Sequence, residues 1–237
     1  YYWVCDALEV YKPVQWEYGR LNITNTVLSK RKLTKLVELG IVRGWDDPRI
    51  YTIAALRRRG VSPAAINRFV EELGITTASS VVDVRRFEQC VRDDLNRTVL
   101  RRMAILDPIT LVIDNYEPAN IVIPNDPRDP SKGESSLPLT QKLLIDRSDW
   151  REGAADANFF RLTMDQPVGI YQVGIFTATR IENHPEQGLL IHGQLDRRPD
   201  APKPKTFIQW LPADAPTAEI RLYRPLFKSS NPDDAEG

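Results

Sequence analysis

Along the first hundred residues, apolar positions recur at intervals of three and four, with polar ones between them. Leu33, Leu36 and Val37 share one face of a helix that Gly40 would end. Thr52 can cap a short helix through Leu56 and Arg57 that closes at Gly60. Ser62-Pro63 supplies a cap followed by proline at the first helical position. Ile66, Phe69, Val70 and Leu73 make the apolar stripe of that helix, and Gly74 its stop. Asp83 opens another helix, with Phe87, Cys90, Val91 and Leu95 on one face. The pattern predicts a small bundle of short helices with basic residues on its outside.

Beyond about residue 105 the period changes. Strand-like runs occupy 111–113, 121–123, 143–145, 168–177, 189–192, 207–211 and 220–223, separated by turn residues that are often proline or Asp-Pro. Short strands at this spacing without helices between them predict an all-β barrel or sandwich. Residues 124–138 read as a polar, proline-rich surface loop with a contact of its own. Phe207, Trp210 and Phe227 alternate with apolar neighbours and are expected in the core. Residues 228–237 read as a frayed end, and the helix-to-strand boundary falls near residue 100.

Composition narrows the function classes. The chain of 237 residues is long enough for a sizeable core in one or two domains. No run approaches the ~20 apolar residues of a membrane span. The first residues, Tyr1-Tyr2-Trp3, are neither a basic leader nor a start methionine, and suggest the interior of a longer chain. Two cysteines, Cys5 and Cys90, give neither a disulfide framework nor a metal spacing, so a reducing compartment and a cytoplasmic location are expected. With only His184 and His192, a zinc or Ser-His-Asp site is poorly supplied, and no metal ligands are assigned.

The net charge is zero, yet its distribution is uneven. Residues 29–60 hold nine cations against three acids, the footprint of a surface that faces phosphate. Within it, Leu28-Ser29-Lys30-Arg31-Lys32 sets a hydroxyl before three consecutive cations. A Ser–Lys pair in a loop can hold polyphosphate, the hydroxyl and backbone N–H donating while the ammonium neutralises charge. Asp46 and Asp47 could form a carboxylate pair for chemistry, but Pro48 fixes a turn after them and favours a structural role. Arg57, Arg58 and Arg59 cannot all point one way on a helix, since adjacent residues sit ~100° apart. One or two of them suit RNA phosphate, and another a partner within the protein.

Several blocks in order resemble the glutaminyl-tRNA synthetase family of class I aminoacyl-tRNA synthetases, of the eukaryotic cytosolic, fungal type. They are Trp16-Glu17-Tyr18-Gly19-Arg20-Leu21-Asn22, the Leu28-Ser29-Lys30-Arg31-Lys32 run as a version of the KMSKS signature, Gly44-Trp45-Asp46-Asp47-Pro48-Arg49 and Leu56-Arg57-Arg58-Arg59-Gly60. Ile145-Asp146-Arg147-Ser148-Asp149-Trp150, Gln166-Pro167-Val168-Gly169 and Arg221-Leu222-Tyr223-Arg224-Pro225-Leu226-Phe227 follow. The signature departs from strict KMSKS, with Leu28 in place of Met and Arg31 in the last Ser position.

The resemblance implies an α+β fold: the C-terminal end of a class I catalytic domain and a small helical bundle, then an antiparallel β-barrel. The implied domains are 1–36 with the KMSKS-type loop, 37–100 contacting the tRNA stem, and 101–237 as the proximal anticodon-binding barrel. The family's HIGH-type motif, its amino-acid pocket and its distal barrel have no counterpart in these residues, so a fragment of glutamine–tRNA ligase is expected. The whole enzyme would join glutamine to its tRNA through glutaminyl-adenylate, using ATP and Mg2+, and the fragment alone would not.

Carried over by position, Lys30 is the implied catalytic residue, and Arg20, Leu21, Leu28, Ser29 and Lys30 would face ATP. Arg57, Arg58, Thr77, Arg101, Lys205 and Arg221 are the implied tRNA contacts, with Arg102 the alternative to Arg101 and Arg224 a weaker candidate. A monomer without membrane contact is expected. A glutamyl-tRNA synthetase, or a non-catalytic RNA-binding module, are the competing readings.

Overall fold

The computed structural model describes residues 1–153 and 158–232. Of the end expected to fray, residues 233–237 lie outside the described residues. By its packing the chain divides into two units, one holding Tyr1–Val99 together with the residues from Arg221 onward, the other Leu100–Ile220.

In the first unit, helix α1 (Tyr2–Ala7) precedes a long connection to strand β1 (Leu21–Ile23). Helices α2 (Lys30–Glu38), α3 (Ile53–Arg58) and α4 (Pro63–Leu73) follow, then strand β2 (Ser80–Val82) and helix α5 (Val84–Thr98). The expected caps form. Thr52, Ser62 and Asp83 each accept a backbone N–H, from Ala55, Ala65 and Arg85, as side-chain oxygens do at helix starts. Ser62 also donates to the buried Asp94 at 2.6 Å, which ties the start of α4 to α5. Gly74 ends α4 with a φ of +69°, a conformation few other residues take without strain.

One apolar cluster gathers Ile23, Leu56, Ala65, Phe69, Val82 and Phe87. Phe69 and Phe87 meet edge to face at 5.2 Å between ring centres. A second cluster of Val27, Leu33, Val42, Ile50 and Ala55 receives Leu226 and Phe227 from the end of the chain.

Not anticipated from the sequence is the parallel pairing of β1 with β2, Leu21 opposite Ser80 through Ile23 opposite Val82. Gly19 permits the approach. Its N–H donates to the Thr76 carbonyl at 2.6 Å, and a Cβ there would fall 2.1 Å from the Ala78 carbonyl oxygen.

The second unit is a curled mixed sheet. Its strands are β3 (Pro108–Ile113), β6 (Lys142–Asp146), β7 (Val168–Ile170), β8 (Gly174–His184), β9 (Gly188–Asp196), β10 (Phe207–Ile208) and β11 (Leu211–Pro212), with β4 (Ala119–Pro124) and β5 (Glu134–Leu139) paired apart as a hairpin. The seven run in the order β10-β7-β8-β9-β3-β6-β11. Only Gln209 and Trp210 separate β10 from β11, so one short segment joins both edges of the sheet. Trp210 is fully buried and donates its indole N–H to the Tyr171 carbonyl at 2.9 Å.

Four expectations are corrected. Pairing is not wholly antiparallel, because β3 lies parallel to β9 and β10 parallel to β7. The run 168–177 is two strands around a turn in which Gln172 has a φ of +61°. Of the excursion 124–138 only residues 125–133 lie outside strands, since β5 pairs back on β4. Residues 220–223 form no strand: from Arg221 the chain has left the sheet for the first unit.

Candidate functional site

Residues 24–33 are held from two sides. Thr24 donates its N–H to the Val82 carbonyl and accepts the Val84 N–H on its hydroxyl. Asn25, in the left-handed region at φ +58°, donates its N–H to Ser230 and its side-chain amide to the Ser229 carbonyl at 3.1 Å. Val27 is buried and Leu28 half-buried against the core. Lys32 donates to the Pro232 carbonyl at 3.2 Å.

The Ser29 side chain takes no part in this anchoring. It occupies the N-cap of α2, yet its hydroxyl makes no capping hydrogen bond. The first turn of α2 is Lys30-Arg31-Lys32 with no acid, so three cations crowd the positive end of the helix dipole. Each such charge costs about 0.3–1 kcal/mol at an exposed terminus, and a bound anion relieves the cost. Lys30 is exposed. Arg20 and Leu21 stand at the start of β1, Arg20 exposed and Leu21 half-buried. The Gly19–Thr76 hydrogen bond brings the exposed Thr77 beside them.

Downstream, the two aspartates separate in role. Asp47, only 2% exposed, accepts the N–H groups of Arg43 and Arg49 and both Nε and Nη2 of Arg49, the last at 2.7 Å. The Arg49 guanidinium holds its carboxyl well below the usual carboxylate range. Every lone pair it offers is committed to fixing a turn. Asp46 pairs with Arg58 at 3.1 Å across the surface. Of the triple arginine, Arg57 is exposed, Arg58 shares its charge with Asp46, and Arg59 lies 5.4 Å over the Tyr51 ring.

In the second unit Arg101 and Arg102 flank a cavity of about 530 Å3 whose floor includes Met103, Leu137, Tyr171 and Ile208. Sequence reasoning missed the residue that positions the pair. Asn125, 8% exposed, accepts from Arg102 at 2.8 Å and from Ser135 at 2.6 Å, donates to the Lys132 carbonyl, and accepts the Arg101 N–H on its own carbonyl. The neighbouring buried Asp126 pairs with Lys132 at 2.8 Å and stands 3.9 Å from Arg101. The Lys132 hydrogen bond holds its carboxyl below the ordinary value. Asn125-Asp126-Pro127 had the composition of a turn, which hides such a hub.

Phe207, expected in the core, is 56% exposed at the mouth of this cavity, its ring covering Gly169, where a Cβ would meet it at 2.4 Å. Lys205 reaches Gln166 at 3.4 Å and sits over the Phe160 ring. Arg221 is not on a strand flank. It lines a groove of the first unit with Arg43 and Arg224. Among the described residues no group of three or more His, Cys, Asp or Glu could hold a metal ion, and no helix is long and apolar enough to cross a membrane.

Residues 1–97 match the family of tRNA synthetases class I (E and Q), catalytic domain, and residues 99–196 match the anti-codon binding domain of the same class. The chain is 47% identical over 98% of its length to a probable glutamine–tRNA ligase of Schizosaccharomyces pombe. It is 45% identical over 98% to glutamine–tRNA ligase of Saccharomyces cerevisiae, and 44% over 99% to that of Bos taurus. It spans 30%, 30% and 31% of those relatives' lengths. With both domain matches in family order and similarity along almost every residue, the chain belongs to the class I (E and Q) tRNA synthetases.

Proposed function

We propose that this chain is the part of a cytoplasmic glutamine–tRNA ligase that carries the KMSKS-type loop and two tRNA-binding surfaces. The whole enzyme would form glutaminyl-tRNA from glutamine, ATP and tRNA through glutaminyl-adenylate. Residues 1–36 would close the catalytic domain, 37–100 would meet the tRNA stem, and the curled sheet from residue 101 would act as the proximal anticodon-binding barrel. Similarity of 42–47% to relatives named glutamine–tRNA ligase supports the glutaminyl reading over a glutamyl one.

The observation that carries the proposal is the start of α2. There a Ser29 hydroxyl that caps no helix N–H and an exposed Lys30 stand side by side at the helix start, beside a firmly anchored loop. Such a set suits the phosphates of ATP. As the adenylate forms, negative charge grows on the departing pyrophosphate, and an ammonium that meets this charge late binds the transition state better than the substrate. Lys30 would supply that charge and Ser29 a hydrogen bond, while Arg20 and Leu21 lie toward the adenosine. The described residues offer no carboxylate cluster for Mg2+, and no step is assigned to it. In the second unit Arg101, steadied by Asp126, would read a splayed anticodon base by its edge or by stacking.

In the full-length enzyme, Lys30→Ala should lower the adenylation rate by orders of magnitude and leave tRNA affinity nearly unchanged. Equal losses in both would refute a transition-state role.

A further inference from the structure

The second unit carries one knot of charge that RNA binding does not use, where β8, β9 and β3 run side by side. His192, at the middle of β9, is 7% exposed. Its neighbour on β3 is Val112, and Asp114 follows two residues on, toward the same face. Its neighbour on β8 is Arg180 rather than Thr179. The register slips between Ala178 and Arg180, which leaves Thr179 as the extra residue of a bulge and brings Arg180 and Glu182 to the histidine.

The ring has three charged partners for two nitrogens. Nε2 stands 3.2 Å from a Glu182 carboxylate oxygen. Nδ1 stands 2.9 Å from a guanidinium nitrogen of Arg180 and 3.3 Å from the Asp114 carboxylate. Arg180 also donates to Glu182 at 3.2 Å, and this bond, followed by that of His192, holds the Glu182 carboxyl below its ordinary value. The Thr179 hydroxyl lies 3.4 Å from the second Asp114 oxygen. On β9 itself the flanking Leu190 and Gln194 carry no charge. Beyond Val112, Lys142 of β6 donates to Gln187 at 2.6 Å.

These contacts cannot all be made at once. A guanidinium only donates, and an ionised carboxylate only accepts. Nε2 must therefore carry a hydrogen to satisfy Glu182. Nδ1 can meet Arg180 only as a bare nitrogen, and Asp114 only as an N–H. The neutral ring suits the first arrangement and the imidazolium the second, and imidazole is the side chain whose charge ordinarily changes between about pH 5 and 8. We propose that His192 is a proton-operated switch: without the proton Nδ1 accepts from Arg180, and with a proton taken from solvent Nδ1–H donates to Asp114 while the guanidinium leaves the ring. Glu182 is held in both states. The proton thus adds a tie between β9 and β3, next to the Asp114 N–H bond to the Gly193 carbonyl, and loosens a cation on β8. The switch is independent of the synthetase reading.

The test follows the ring in the isotope-labelled 237-residue chain from about pH 8 to about pH 5. Long-range proton–nitrogen spectra tell a bare ring nitrogen from a protonated one. Loss of the signals in His192→Gln separates them from those of His184, the other histidine. The expected result is a bare Nδ1 with a protonated Nε2 at the alkaline end, and hydrogen on both at the acid end. Nitrogen relaxation should show the Arg180 side chain gaining mobility with the same midpoint. Asp114→Asn should lower the proton affinity of the ring and Arg180→Met should raise it, each roughly fivefold, as one partly screened charge is removed. Both side chains are exposed, and the titration of the unaltered chain needs no variant. An Nδ1 that carries hydrogen at the alkaline end, one that stays bare at the acid end, or an Arg180 whose mobility ignores the titration overturns the proposal. Changes of the same sign in the two variants overturn it too.

Discussion

Replacing Asp47 by Asn removes one charge from a carboxylate that holds four donors, two of them backbone N–H groups. Breaking one side of a buried ion pair usually costs 3–5 kcal/mol, because the remaining charge is stranded. Arg49 keeps 28% of its side-chain exposure and can turn toward water, and Asn still accepts one or two of the bonds. The expected loss is therefore at the lower end, about 2–3 kcal/mol.

Acid offers a second handle on the same residue. Its folded-state value lies below the unfolded one of ~3.9, so its contribution is complete above about pH 4 and disappears as pH falls further. Asp83 and Asp196, each held down to about 2 by a neighbouring arginine, add acid sensitivity of the same sign. The diagnostic is thus the difference between the two proteins: Asp47→Asn should be less stable at neutral pH, and the gap should narrow below pH 4. With two units present, a single global transition is not assured. Hydrogen exchange at the amides of α4 and α5 reads the first unit alone. A loss under ~1 kcal/mol, or a gap that holds constant into acid, would show that Asp47 is not what fixes this turn.

Other perturbations separate packing from binding. Gly19→Ala should cost on the order of 2–3 kcal/mol, since the new methyl meets a backbone carbonyl that cannot rotate away, and exchange should rise at β1 and β2 first. Full protection of those strands would contradict the close approach. Trp210→Ala should destabilise the second unit by about 3–5 kcal/mol in urea, through a cavity and an orphaned Tyr171 carbonyl. Phe207→Ala, at an exposed ring, should change that same stability by less than ~1 kcal/mol, which a urea midpoint would check.

What the sequence disclosed was mainly local. Thr52, Ser62 and Asp83 announce helix starts because capping involves residues two or three apart, and the glycines announce their ends. Features made by distant partners were not legible. The β1–β2 ladder uses two strands of three residues each, too short to show a period, and depends on Gly19 meeting Ala78. Phe207 and Trp210 look alike in pattern, yet β10 ends between them and turns only the second inward. That Arg43 and Arg224 line one groove was not legible, because Asn25, Leu226 and Phe227, none of them charged, hold the distant segment in place.

The two-residue link between β10 and β11 bears on how the chain is made. During synthesis, β7 and β6 stand with bare backbone edges until Phe207–Pro212 has left the ribosome. Unpaired edges of that kind invite pairing with another chain. The nascent sheet is therefore exposed to aggregation through most of its own translation, and a stop codon shortly before Phe207 should yield an insoluble product while one just after Pro212 spares the sheet.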